Sequence, residues 1–250
     1  KEIVLMLMGL ISCWLQLSCN LFIVILRSWI DFIVCPWLGV SMNLSPSLMC
    51  ADAGHFAEQI ALLEACDVDS FHIDIMDGEF VPNFALSWAE VALFRKLTDI
   101  PFDAHLMVQN LNTHIDFAAK CGINRVFIHV EHSNVHQLIA KVKSFGMQVG
   151  VALNPETSSA VLCEFKDEIS SVLLMRVHPG FAGQSGLDYV DDKINYIKTN
   201  FPKVDITVDG AVSKEVISKL QNRGVNGFVL GTSALFNKNR RYSDIIKEIR

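Results

Sequence analysis

The sequence contains no Cys-x-x-Cys pair, no extended basic patch, no Gly-x-Gly-x-x-Gly turn and no proline-rich or low-complexity linker. Each absence removes a class of protein. The 7 cysteines are scattered without an even framework, which excludes a disulfide scaffold and a thiolate zinc site. Free thiols of this kind suit a reducing cytoplasm, the expected location. With 21 basic against 27 acidic side chains, a net charge of −6, there is no electropositive groove for nucleic acid. Charge is itself sparse, 19% of residues against 51% hydrophobic, so disorder is excluded and the 250 residues must bury a large core.

The scarcity of charge is greatest at the start. No charged residue lies between Ile3 and Leu26, and Trp14, Trp29 and Trp37 all precede Met42. A run of that length could span a bilayer, although Ser12, Gln16, Ser18 and Asn20 interrupt it. It is a poor signal peptide, because Lys1 and Glu2 cancel and no small-x-small cleavage site follows. Met42 opens a segment that reads as a whole domain. Residues 1–41 are therefore expected to be extraneous to the working protein, with a membrane anchor and a packed extra helix as the alternatives. No other membrane contact is expected.

From Met42 onward, short apolar runs alternate with amphipathic stretches. The spacing predicts strands at 44–48, 71–75, 102–108, 125–130, 148–153, 171–177, 205–208 and 227–230. Helix starts are expected at Ser87, whose Glu90 has capping-box spacing, and at Asn112, Ser133, Thr157 and Ser213. Gly122, Gly146 and Gly224 sit where helix ends want a left-handed residue. Eight strand–helix units over residues 42–250 predict a single (β/α)8 barrel. An open doubly wound sheet would want a glycine-rich turn after the first strand, where Ser45-Pro46-Ser47 stands instead.

Strand alternation then locates the chemistry. Phe71, Ile73 and Ile75 share one face of their strand, and His72 and Asp74 the other; His105 and Asp209 are likewise out of phase with their apolar neighbours. A barrel needs its helix-facing side apolar, so these four polar groups point inward, near the strand ends that carry active sites. Two imidazoles and two carboxylates in a confined mouth are costly unless compensated. One divalent cation, Zn, Fe(II), Mn or Co, satisfies them; buried His–Asp hydrogen bonds are the alternative. Glycine-rich turns at 179–184, at Gly210 and at Gly231-Thr232-Ser233 bring backbone N–H groups within reach of an anion, and Thr232 or Ser233 could open a short helix. A small phosphorylated ligand fits that placement.

These same segments carry a family resemblance. Ser45-Pro46-Ser47, the block from Phe71 through His72-Ile73-Asp74-Ile75-Met76-Asp77-Gly78 to Phe80-Val81-Pro82-Asn83, His105-Leu106-Met107, the turn at 179–184, Val208-Asp209-Gly210 and Gly231-Thr232-Ser233 resemble the ribulose-phosphate 3-epimerase family, in order, over 42–250. The resemblance implies one divalent metal held by His72, Asp74, His105 and Asp209, with Asp74 and Asp209 as the two acid/base residues. It implies substrate contacts from Ser47 and His105 and an apolar lining of Met76, Met107 and Met175. Gly180, Phe181, Ala182, Gly183, Gly210, Ala211, Gly231, Thr232 and Ser233 would hold the phosphate end. The implied reaction interconverts D-ribulose 5-phosphate and D-xylulose 5-phosphate, by removal of the C3 proton and return of one on the other face, in a homo-oligomer. Leu48-Met49-Cys50, Ala182 and residues 231–236 look closer to the D-allulose-6-phosphate branch, which is the alternative. A phosphate-binding lyase or decarboxylase would want a Lys near a strand end, and no strand offers one. Three positions depart from the family: Arg176 stands where small or hydroxylated residues are usual, Ala211 where Gly or Ser is frequent, and Gly186 in place of Phe. Arg176 falls on the helix-facing phase, where a guanidinium needs a partner.

Overall fold

A computed structural model describes residues 42–250, and the expected membrane or extraneous segment 1–41 lies outside the described residues. Residues 42–250 form one compact unit. Its eight strands are β1 (Asn43–Pro46), β2 (Phe71–Met76), β3 (Phe102–Met107), β4 (Arg125–His129), β5 (Gln148–Leu153), β6 (Ser171–Met175), β7 (Asp205–Asp209) and β8 (Gly227–Leu230). All pair in parallel in the order β1-β8-β7-β6-β5-β4-β3-β2. A parallel bridge between Ser47 and His72 spans the remaining seam between β1 and β2. The expected (β/α)8 barrel is the fold, and each expected strand is present, β5 and β8 with the expected bounds and the others with one or both ends shifted by a residue or two.

Around the sheet lie α1 (Phe56–Glu64), α2 (Trp88–Phe94), α3 (Leu111–Lys120), α4 (Val135–Ser144), α5 (Asp192–Asn200), α6 (Lys214–Gln221) and α7 (Tyr242–Ile249). Helix starts follow the sequence only in part. Ser87 forms the full capping box with Glu90, and Ser213 accepts from the Val216 N–H. The cap expected at Asn112 is instead Asn110, whose side chain accepts from Thr113 N–H, because α3 begins at Leu111. The cap expected at Ser133 is Asn134, which enters α4 in the left-handed region, φ 61°, a conformation Asn tolerates. After β5 no α-helix forms: Ser159–Glu164 is a 3-10 segment capped by Ser158, and the Thr157 hydroxyl is committed to Glu131. Gly122, Gly146 and Gly224 all take positive φ, as expected at helix ends. Among the described residues, no helix is long and apolar enough to cross a membrane.

The main core lies between sheet and helices, where Phe71, Ile73, Ile75, Phe102, Ala104, Leu106, Ile206 and Val208 meet residues such as Ile60, Val91 and Ile217. The barrel interior is divided. One part is filled by Phe127, Ala152, Leu173, Met175, Val177 and Val229. The walls made by β1, β2 and β3 bury Ser45, His72, Asp74, Asp103 and His105.

Candidate active site

The parallel register sets Asp74 beside His105 and Met175 beside Asp209, so polar side chains from β2, β3 and β7 reach the same level of the mouth. One ligand atom from each of His72, Asp74, His105 and Asp209 lies within 4.8 Å of all the others. Asp74 Oδ1 is 3.5 Å from His72 Nε2 and 3.3 Å from His105 Nδ1, and Asp209 Oδ2 is 3.8 Å from that same Nδ1. Ser47 donates its hydroxyl proton to Asp74 Oδ2 at 2.6 Å. The predicted four are thus brought together.

Two features decide whether a cation suits this group. His72 Nε2 and His105 Nδ1 are buried and have no hydrogen-bond partner, although both face carboxylates. Orphaned imidazole nitrogens beside acidic oxygens match the donor set of Zn, Fe(II), Mn or Co. The outer nitrogens, by contrast, are fully engaged. His72 Nδ1 lies 2.5 Å from Asp103 Oδ1, and Asp103 also accepts from Ser45 and Ser70 at 3.0 Å. His105 Nε2 lies 2.8 Å from His129 Nε2. These are the partners that orient metal-binding imidazoles.

The electrostatics separate the two carboxylates. Burial opposes charge on Asp74, but His72 and His105 outweigh it and hold the carboxyl well below the usual range. Burial pushes the Asp209 carboxyl up to about 7, against the pull of His72 and with the help of Asp74. Burial also disfavours charge on His72, yet Asp74 and Asp103 raise it well above the ordinary value. Burial lowers His105, and takes His129 down to about 4. Two neighbouring acids with opposed shifts are what acid/base pairs require.

Above this group opens a narrow cleft. Its lining includes Ser47, Asp74, Met76, Met107, Met175, Gly180, Phe181, Ala182, Gly183, Asp209, Gly210, Ala211, Gly231, Thr232 and Ser233. Of the residues implied to contact substrate, His105 alone does not line the cleft; it lies beneath, offering only Nδ1. Gly231–Leu235 makes a single turn, with Leu235 N–H on the Gly231 carbonyl at 2.9 Å, and Thr232 and Ser233 open no helix. Gly210 is required, since φ is +95° and a Cβ would sit 2.5 Å from Val177. The Phe80–Asn83 block has a structural use: Asn83 Nδ2 donates to the Gly180 carbonyl at 2.7 Å, holding the loops after β2 and β6 together across the mouth.

Sequence reasoning missed Asp103, His129 and Glu131, and the thiol of Cys50 in the lining. Asp103 and His129 share the inward phase of their strands with His105 and Phe127, so alternation held the signal. Burial, with the charges of Asp74 and Asp209, pushes the Cys50 thiol up to about 11, which disfavours its thiolate.

Comparison with known proteins gives a consistent answer. The model of the ribulose-phosphate 3 epimerase family matches residues 43–236. The chain is 35% identical over 215 residues to a ribulose-phosphate 3-epimerase of Bacillus subtilis, covering 84% of this chain and 98% of that one. It is 33% identical to a chloroplastic ribulose-5-phosphate-3-epimerase of Arabidopsis thaliana, covering 83% and 75% respectively. Among solved structures, a tryptophan synthase alpha-subunit from Pyrococcus furiosus superposes with TM-score 0.62 at 14% identity, over 84% of this chain and 96% of that one. At that identity the likeness concerns the barrel fold alone.

Proposed function

The chain belongs to the ribulose-phosphate 3-epimerase family of isomerases, and from that premise we propose that it interconverts D-ribulose 5-phosphate and D-xylulose 5-phosphate in this cleft. The observation that carries the reading is the convergence of His72, Asp74, His105 and Asp209 within 4.8 Å, with the two carboxylates entering from separate walls, β2 and β7. A divalent cation held by these four would act as a Lewis acid toward the negative charge that develops when a ketose loses its C3 proton.

The remaining work falls to side chains of this protein. Asp74 and Asp209, entering from β2 and β7, would approach the substrate's C3 from opposite faces. One carboxylate takes the proton from C3, and the other, protonated, delivers one to the opposite face, so configuration inverts and the two exchange charge states. Ser47 fixes Asp74 by its hydrogen bond to Oδ2. Met76, Met107 and Met175 line the cleft with polarizable apolar surface that keeps water from the reacting carbon. Backbone N–H groups of the turns at 180–183, 210–211 and 231–233 hold the phosphate. No lysine lines the cleft among the described residues, which disfavours a lyase or decarboxylase.

A panel of ketose phosphates, assayed alongside elemental analysis of the purified protein, tests the reading. The expected result is turnover of D-ribulose 5-phosphate above D-allulose 6-phosphate, with about one divalent metal per chain. Preference for the hexose phosphate would move the assignment to the allulose branch. For the two-base step, Asp74→Asn and Asp209→Asn should each nearly abolish epimerisation. In deuterium oxide each variant should still exchange the C3 proton of the one epimer that its remaining carboxylate can reach. Substantial epimerisation by either variant, with metal occupancy verified, would sink the two-base assignment.

A further inference from the structure

The two ring nitrogens of His105 have different neighbours. Nε2 faces Nε2 of His129 at 2.8 Å; Nδ1 faces Asp74 and Asp209 with no hydrogen bond. Two facing imidazole nitrogens in hydrogen-bond contact share one proton, so one ring donates and the other accepts. What lies behind His129 decides which. Its Nδ1 is 3.1 Å from Glu131 Oε2. The other oxygen of Glu131 accepts from the Asn154 backbone N–H at 3.1 Å and from the Thr157 hydroxyl. The hydrogen bonds of His129 and Thr157 to Glu131 outweigh burial and bring its carboxyl down to about 2. An ionised carboxylate only accepts, so a neutral His129 carries its proton on Nδ1 and presents a lone pair at Nε2. The shared proton then belongs to His105 Nε2, and a neutral His105 keeps Nδ1 bare.

We propose that His129 and Glu131 are positioning residues that fix the tautomer of His105, holding its proton on Nε2 so that Nδ1 offers a lone pair to a divalent cation. The proposal rests on the cation reading of the site. Without this relay, the proton could move to Nδ1 and bond to Asp74 Oδ1, 3.3 Å away, and the cation site would close on an internal hydrogen bond. The string runs from the loop after β5, through the end of β4, to a ligand on β3, so three successive strands determine one lone pair.

Glu131→Gln tests the relay because it keeps the shape while replacing one acceptor with a donor. The Asn154 N–H can only donate, so the amide oxygen turns to it and the amide NH₂ turns to His129 Nδ1. His129 then donates from Nε2, and His105 is protonated on Nδ1. Two measurements follow. In metal-free protein, the ¹⁵N shifts of His105 should show the proton on Nε2 in the wild type and on Nδ1 in the variant. Zinc affinity, read by chelator competition, should fall about 10–100-fold in the variant. A wild-type proton on Nδ1 overturns the proposal, as does a folded variant with an unchanged tautomer or unchanged zinc affinity. If the variant does not fold, the wild-type tautomer alone decides. A wild type with the proton on Nε2 but no zinc binding would overturn the cation reading, and with it the purpose of the relay, while leaving the relay's geometry standing.

Discussion

Arg176 is 2% exposed, and a guanidinium in that position needs every donor answered. Nε donates to Asp191 at 3.0 Å, Nη2 to Asp188 at 2.6 Å and Nη1 to the Ala211 carbonyl at 3.3 Å. Asp191 also accepts from Lys219 at 2.7 Å. Room for the guanidinium comes from Gly186, where a Cβ would stand 2.9 Å from Nη1 and 3.1 Å from the Ala211 Cβ. Residues 176, 186 and 211 thus meet at one place, the guanidinium lying against the open face of Gly186 and donating to the Ala211 carbonyl. Arg176→Met leaves Asp191 with only Lys219, and should cost about 3 kcal/mol in denaturant unfolding. Because Ala211 lies in the lining, KM should rise more than kcat falls; unchanged stability would refute the account. His72, Asp74, His105 and Asp209 were legible in the sequence because each breaks the apolar phase of its strand. The groups behind them were harder to read: Asp103 shares that phase but sits at the start of β3, away from the strand end that carries the site, and Glu131 lies outside a strand, where alternation says nothing about direction.

The loops at the mouth are set by side chains that replace missing backbone partners. Asp77 is the clearest case: Oδ1 accepts from the N–H groups of Glu79 at 2.9 Å and Phe80 at 3.1 Å, and Oδ2 from Gln109 at 2.6 Å. One carboxylate thus ties the segment after β2 to the segment after β3. Burial works against its charge, but these three bonds hold the carboxyl below the ordinary range. A depressed acid stabilises the fold above its unfolded pKa, near 4, and that contribution is lost as pH falls through the folded value. Asp77→Asn should therefore cost about 1 kcal/mol at neutral pH, and the gap from the wild type should close as the solution is made acid. A gap that stays constant with pH would mean that charge is not the cause. Helix starts were legible where the cap is purely local, as at Ser87 and Ser213. Thr157 was misread because its hydroxyl bonds to Glu131, 26 residues earlier. A local pattern carries no trace of such a tertiary partner.

At the scale of the molecule, the barrel closes with its own two ends. β1 begins at Asn43, whose N–H bonds to the Asn226 carbonyl at 2.8 Å, and its register runs along β8 from Gly227. At the other terminus, Arg250 donates to the Met42 carbonyl at 3.4 Å, to the Asp67 carbonyl at 2.7 Å and to Asp69 Oδ2 at 2.8 Å. Asp69 in turn accepts from the Leu44 N–H at 2.8 Å. First strand and last residue are thus stitched to each other by groups numbered 42 and above. The β1–β2 seam, spanned by the Ser47–His72 bridge, also belongs to that set, as do the described residues that line the cleft. The alternation of eight strands was readable because parallel strands covered by helices leave long apolar runs, and the closing contacts were not, since they join residues about two hundred apart. From this closure we propose that residues 42–250 carry both the fold and the activity. A chain beginning at Met42 should unfold within about 2 °C of the full chain, a difference of no more than about 1 kcal/mol, and should turn over substrate at the same rate. A larger fall in Tm, or loss of epimerase activity on removal of 1–41, would show that the charge-free segment is a working part of the protein.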